Sequence, residues 1–149
     1  MMFHGMIAVN HGKIPVRALA DTGASHCYVS QSFVEKAGIP VRPLSNWLKL
    51  ANGSNAVSNG TCTLSLDIQT YCGPIECFIL PLSDQFDLII GDDWCNEVGC
   101  EISYRDQCLR CVDLDGVAIT TCLYSLTSMV FTALWLVLSI LIQKCSKVM

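Results

Sequence analysis

Asp21-Thr22-Gly23 is the first place in this 149-residue sequence where residue type and setting could do chemistry. The aspartate follows Ala18-Leu19-Ala20, a continuously apolar stretch, and a strand that becomes apolar just before a polar loop is entering the core. A carboxylate held there can take a proton from water and return one. Peptide hydrolysis needs both acts. Two carboxylates about 3 Å apart can supply them, because like charges that close share one proton. One such aspartate per chain makes a pair only across a two-fold axis between two copies. Thr22 could then hydrogen-bond across the axis, and Gly23 would let the two loops approach without a Cβ in the way. The plainer alternative for these three residues is an Asx-type turn between strands.

Other reactive residues make weaker cases. His26 and Cys27 follow the loop, but no nucleophile and base stand at a recognisable spacing, so thiol hydrolysis is set aside. Asp92 and Asp93 could pose as a second catalytic carboxylate. They stand where a helix begins, and favourable interaction with its dipole is the better account. Among the ten cysteines, Cys108 and Cys111 form the one C-x-x-C, and the histidines (His4, His11, His26) lie far from it. A lone pair makes no structural zinc site, so neither a metal nor any other cofactor is expected. The N-terminus has neither a basic leader nor a long apolar stretch, which favours reduced thiols over a disulfide framework. Asn52-Gly53-Ser54 and Asn59-Gly60-Thr61 match glycosylation acceptors but read better as turns.

The elements around Asp21 are mostly strands. Phe3 to Val9 alternates, Asn10-His11-Gly12-Lys13 turns, and Ile14 to Ala20 returns. After the loop come a short strand at Cys27 to Val29 and a helix from Gln31 to Ala37, with Ser30 as cap and Gly38 as stop. Trp47 to Ala51 and Asn55 to Gly60 flank a second hairpin tip, with Trp47 expected to pack at its base. Thr61 to Thr70 alternates, Cys72-Gly73-Pro74 predicts a turn, and Ile75 to Leu82 another strand. Asp87 to Gly91 reads as a buried strand ending at glycine, and Asp92 to Val98 as a short helix closed by Gly99. Cys100 to Tyr104 and Cys108 to Val112 make a last hairpin. This is an all-β domain, residues 1–116, with two short helices.

Composition divides the chain. Hydrophobic residues reach 52% and charged ones only 15%, against a usual charged share of about 25%. The excess collects in the tail, where Val117 to Ile142, about 26 residues without a charge, would make a helix of roughly 39 Å, long enough to span a bilayer. The expectation is a C-terminal apolar helix at 117–142 acting as a single-pass membrane anchor. A polar tail, 143–149, follows, and the first domain is expected on the cytosolic side. A non-native tail that never meets a membrane is the alternative. The net charge of −4 is mild and no Lys/Arg cluster stands out, so nucleic acid is not expected as a partner.

The sequence resembles the retropepsins, the aspartic proteases of retroviruses and of gypsy-type retrotransposons, over about residues 5 to 113. The resemblance rests on Ala18 to Ser25 (ALADTGAS), the helix QSFVEKAG after it, the hairpin Leu48 to Ser54 (LKLANGS) and Asp87 to Gly99 (DLIIGDDWCNEVG). Two motifs in the family's order are far more specific than either alone. The resemblance implies a closed-barrel acid protease fold, endopeptidase activity on polypeptides and a homodimer with the aspartate pair at its interface. It implies Asp21 as the catalytic group, with Thr22, Gly23, Ala24 and Ser25 supporting the loop. Ala51, Asn52, Gly53 and Ser54 would form a flap over substrate, and Ile89, Ile90 and Gly91 would pack beneath the site. Ala24 stands where pepsin-like enzymes carry Ser or Thr, which removes one hydrogen bond to the carboxylate. The rival reading is a catalytically silent, membrane-anchored interaction module with the same fold; a third is a transposon remnant that is never folded.

Overall fold

Alternation in the first twenty residues becomes a hairpin. In the computed structural model, which describes residues 1–49, 53–68, 71–112, 116 and 118–122, β1 (Met2–Val9) pairs antiparallel with β2 (Gly12–Ala20), from Met2 opposite Leu19 to Val9 opposite Gly12. Phe3, Ile7, Val16, Ala18 and Ala20 all turn inward and are essentially buried. Gly12, at φ 133°, takes the backbone conformation that the tight turn requires.

Further along come β3 (Tyr28–Ser30), α1 (Gln31–Ala37), the hairpin β4 (Asn46–Lys49) and β5 (Asn55–Ser58), β6 (Thr61–Ile68), β7 (Tyr71–Leu80), β8 (Leu88–Ile90) and α2 (Asp92–Glu97). A closed barrel runs β1-β2-β8-β3-β7-β6. Three residues of β8 do the joining. They pair parallel with the end of β2, Ala18 opposite Leu88 and Ala20 opposite Ile90. On the other side they pair antiparallel with β3, Tyr28 opposite Ile89. Leu64, Leu66, Ile75, Leu88, Ile90 and Trp94 fill the interior.

Helix α1 has the expected limits, and Gly38 closes it in the left-handed conformation at φ 62°. Ser30 occupies the cap position without a side-chain cap bond; its hydroxyl pairs with that of Ser32 at 2.8 Å. The turn expected at Cys72-Gly73-Pro74 is instead strand: these residues face Asp67, Leu66 and Ser65 within the β6–β7 ladder. Gly73 serves packing, since a Cβ there would come within 2.3 Å of the Tyr71 hydroxyl. Pro74 sits where β7 has β6 on one side only, because β3 joins it later, at Phe78. A missing N–H is tolerated on such an edge.

A second sheet, ordered β11-β10-β9, contains β9 (Glu101–Ser103), β10 (Cys108–Val112) and β11 (Ala118–Cys122). The expected C-terminal helix therefore does not begin at residue 117. Ala118 to Cys122 pairs with β10 from Val112 to Cys108, as suits a segment rich in β-branched residues beside an open strand edge. The remainder of that expectation, residues 123–142 with the tail to 149, lies outside the described residues. Among the described residues no helix is long and apolar enough to cross a membrane.

An ion pair staples β8 to β2. Arg17 forks Asp87 through Nε to Oδ2 at 3.0 Å and Nη2 to Oδ1 at 2.9 Å, and the Arg17 backbone N–H adds a third bond at 2.9 Å. Burial pushes the Asp87 carboxyl up, but the three Arg17 bonds outweigh it and hold it below the usual range. A carboxylate lowered on folding contributes stability above its unfolded value of about 3.9, lost as pH falls through its lower folded value. Asp87→Asn is accordingly expected to cost on the order of 1 kcal/mol near pH 7. In urea unfolding, the gap between mutant and wild type should narrow as pH falls below the unfolded value and close as it falls through the lower folded value, where the wild-type carboxylate is itself protonated.

Candidate active site

Asp21 sits directly beyond β2, and its backbone N–H donates to the Ile90 carbonyl at 3.0 Å. The aspartate is thus tied to the end of β8. The chain then turns on itself. The Gly23 N–H donates to Asp21 Oδ1 at 2.9 Å, and the Ala24 N–H to the Asp21 carbonyl at 3.1 Å. An Asx-type turn is therefore present, and it aims the carboxylate. A Cβ on Gly23 would lie 3.2 Å from Asp21 Oδ1, so this position favours the smallest residue. Thr22, Gly23 and Ser25 are exposed; Asp21 and Ala24 are half-buried.

The loop is clamped from below by the start of α2. The Asp92 N–H donates to the Ala24 carbonyl at 2.8 Å. Asp93 reaches back further: Oδ2 lies 3.2 Å from His26 Nδ1 and accepts from the Cys27 N–H at 3.3 Å, while Oδ1 takes the Cys27 thiol at 3.2 Å. Reading Asp93 as a partner of the helix dipole alone missed this. The residue does lie in the first turn, where its Oδ1 accepts the Trp94 N–H at 2.8 Å, but its carboxylate also holds His26 and Cys27, and the Cys27 contact joins residues 66 apart that no local pattern announces. Gly91 is what lets the two segments meet, since a Cβ there would fall 2.3 Å from the His26 carbonyl oxygen and 2.8 Å from that of Ala24.

Cys27 is fully buried, and burial pushes its thiol far up, away from the thiolate a nucleophile needs. Its Sγ accepts the Gly91 N–H at 3.2 Å. Cys27 is thus a packed residue of the clamp. The described cysteines are free thiols, and no group of three metal-ligating side chains forms among the described residues.

Beside Asp21 opens a cavity of about 360 Å³, lined by Asp21, Gly23, Ala24, Ser25, Tyr28, Lys49, Leu80, Leu82 and Ile89. Its apolar wall belongs to a separate hydrophobic cluster in which Tyr28, Leu48 and Leu80 are buried and Ala24, Leu82 and Ile89 pack against them. Leu48 brings the β4–β5 hairpin down onto this wall. Strand alternation then turns Trp47 outward, opposite Val57, where it is 75% exposed. Trp47 therefore does not pack at the hairpin base as the sequence suggested.

Of the expected flap residues, Gly53 (φ 81°) and Ser54 are exposed at the end of the hairpin; Ala51 and Asn52 lie outside the described residues. Ile90 packs in the core below Asp21, and Gly91 is buried beside it, whereas Ile89 lines the cavity. Tyr28, Lys49, Leu80 and Leu82 were not singled out from the sequence.

The family model for retroviral aspartyl proteases matches residues 2–111. The chain belongs to the retroviral aspartyl protease family. Among solved structures it is similar to the retroviral protease-like domain of Ddi1 from Leishmania major, at 19% identity and a TM-score of 0.60, covering 84% of this chain and 95% of that one. It is also similar to the EIAV protease complexed with the inhibitor HBY-793, at 13% identity and a TM-score of 0.52, covering 69% and 93%. At these identities the likeness speaks for the retropepsin fold alone. A comparison with curated proteins found no match.

Proposed function

We propose that this chain is an aspartic endopeptidase that works as a homodimer, each copy supplying one Asp21 to a pair that shares a proton and activates water. The observation that carries the reading is the placement of Asp21. It is held by Gly23, is partly open to solvent, and is the one carboxylate among the described residues lining the adjoining cavity. A single copy therefore offers half of a two-carboxylate mechanism, and a second copy completes it.

In the proposed cycle one carboxylate takes a proton from water as the water attacks the scissile carbonyl. The protonated partner donates to the carbonyl oxygen, and a proton then passes to the departing amine. Thr22 and Gly23 of both copies would pack across the axis. The β4–β5 hairpin would close over the peptide, excluding water from the site.

The test is hydrolysis of a denatured protein mixture by the full chain in the acidic range, together with its mass in solution. Expected are cleavage inhibited by a statine-type peptide, a bell-shaped pH profile and a dimeric mass. A strictly monomeric chain that still cleaves would overturn the dyad. A dimer that binds the inhibitor without cleaving would favour the silent interaction module. Membrane attachment through residues beyond 122 is a separate proposal, tested by partition of the full chain into vesicles and its loss on truncation after Cys122.

A further inference from the structure

We propose that the cavity beside Asp21 selects a peptide carrying an acidic side chain, and that Lys49 and Tyr28 make the selection. The inference rests on the reading of the site as a peptide-binding cleft and adds what that cleft discriminates.

Three features of the lining carry it. Leu80, Leu82, Ile89 and Ala24 form an apolar wall that suits a side chain's methylene stem. Against that wall stand two donors on different elements. Lys49, at the end of β4, is the one cationic residue lining the cavity, and among the described residues no ion pair is formed by it. Tyr28, on β3, is 8% exposed and lines the cavity together with Ser25. Lys49 is exposed at the rim of this apolar space and Tyr28 is buried in its wall, and a hydroxyl and an ammonium around one apolar space favour a ligand group that accepts hydrogen bonds and bears negative charge. Among the described residues the only acid in the lining is Asp21, which the mechanism reserves for water. An incoming glutamate fits best: its stem lies on the apolar wall, its carboxylate meets Lys49, and Tyr28 offers a further bond.

Leu48 sets where Lys49 stands. Its burial against Tyr28 and Leu80 docks β4 on the cavity wall, so the neighbouring lysine is held at the mouth. A cation at a partly shielded mouth discriminates by charge, and salt weakens it.

Binding tests the idea apart from turnover. The full chain carrying Asp21→Asn would be titrated with fluorescent peptides that differ only in Glu, Gln or Lys at one position, at about pH 5.5, above the ~4.3 of a free glutamate. Expected is a preference for Glu over Gln of roughly fivefold, fading with salt. Lys49→Gln should abolish it, and Lys49→Glu should turn it towards the Lys peptide. Tyr28→Phe, which keeps the ring, should weaken Glu binding without reversing the order. Equal affinity for Glu and Gln peptides, or a Glu preference that survives Lys49→Glu, overturns the proposal. Cleavage by the wild-type chain is then scored separately. Selective binding without cleavage would leave this inference standing and sink the enzymatic reading; cleavage without selectivity would do the reverse.

Discussion

Asp21→Asn is expected to lower peptide hydrolysis by on the order of 10³-fold while leaving the melting temperature nearly unchanged. The two halves of that expectation have separate causes. Asparagine keeps the shape of the side chain and an oxygen that can accept the Gly23 N–H, so the 2.9 Å bond that shapes the loop can survive. What it loses is a group able to take a proton from water. The barrel core lies elsewhere, around Leu66, Ile90 and their neighbours. Mixing the mutant with wild-type chain should reduce activity faster than in proportion to the wild-type fraction, because each mixed dimer of the proposed kind would hold one competent carboxylate. Initial rates across a series of mixing ratios, with thermal melts alongside, are the measurement. A mutant that keeps wild-type cleavage would remove Asp21 from the mechanism altogether.

Gly91→Ala should be the most damaging single-methyl change in the chain. The added carbon would stand 2.3 Å from the His26 carbonyl oxygen, 2.5 Å from its carbon and 2.8 Å from the Ala24 carbonyl oxygen. All three are backbone atoms, so no side chain can swing aside to make room. The loop that carries Asp21 must move off α2, breaking the Asp92-to-Ala24 bond and the Asp93 contacts with Cys27. Overpacking typically costs about 1–3 kcal/mol, and a rigid backbone clash belongs at the upper end. For a domain of this size that is a fall in melting temperature of on the order of 10 °C or more. Peptide binding should fail with it, since Ala24 and Ser25 line the cavity. Gly53→Ala is the contrasting control. Unlike Gly91, whose φ is −99°, that glycine has a positive φ, and nothing lies within 4 Å of the added carbon, so the change should strain the hairpin locally and spare the barrel. A Gly91→Ala chain that melts like wild type would mean that the loop and α2 are less tightly coupled than these distances require.

How far the sequence could be read depended on whether a signal was local. Alternation in β1, β2 and β6 registers burial every second residue, and these strands lie close to where the pattern placed them. The limits of α1 followed from Ser30 and Gly38, although the serine does not cap in the expected way. Three readings failed for a common reason. Gly73 and Pro74 look like turn residues until Tyr71 is seen to cover one and a strand edge to accept the other. Trp47 looks like packing material until Leu48 claims the inward face. Ala118 to Cys122, uncharged and next to an apolar run, looks like the start of a helix until β10 offers it a ladder. In each case the packing and pairing of the folded chain, not the local composition, set the outcome.

Residue chemistry alone singled out Asp21, the glycine that its turn needs and the apolar strand that presents it, because the needs of a strand-to-loop transition are met within a few neighbouring residues. It also marked the second motif, Asp87 to Gly99, whose composition suits a buried strand running into a short helix. Only the folded chain determined that Asp93 holds the loop across 66 residues, that Gly91 is the point of closest approach, and that Tyr28, Lys49, Leu80 and Leu82 share one cavity with Asp21. Those are consequences of closing the barrel: β8 must insert between β2 and β3 before any of these groups can meet, and strand order in a sheet leaves no mark on the spacing of residues along the chain.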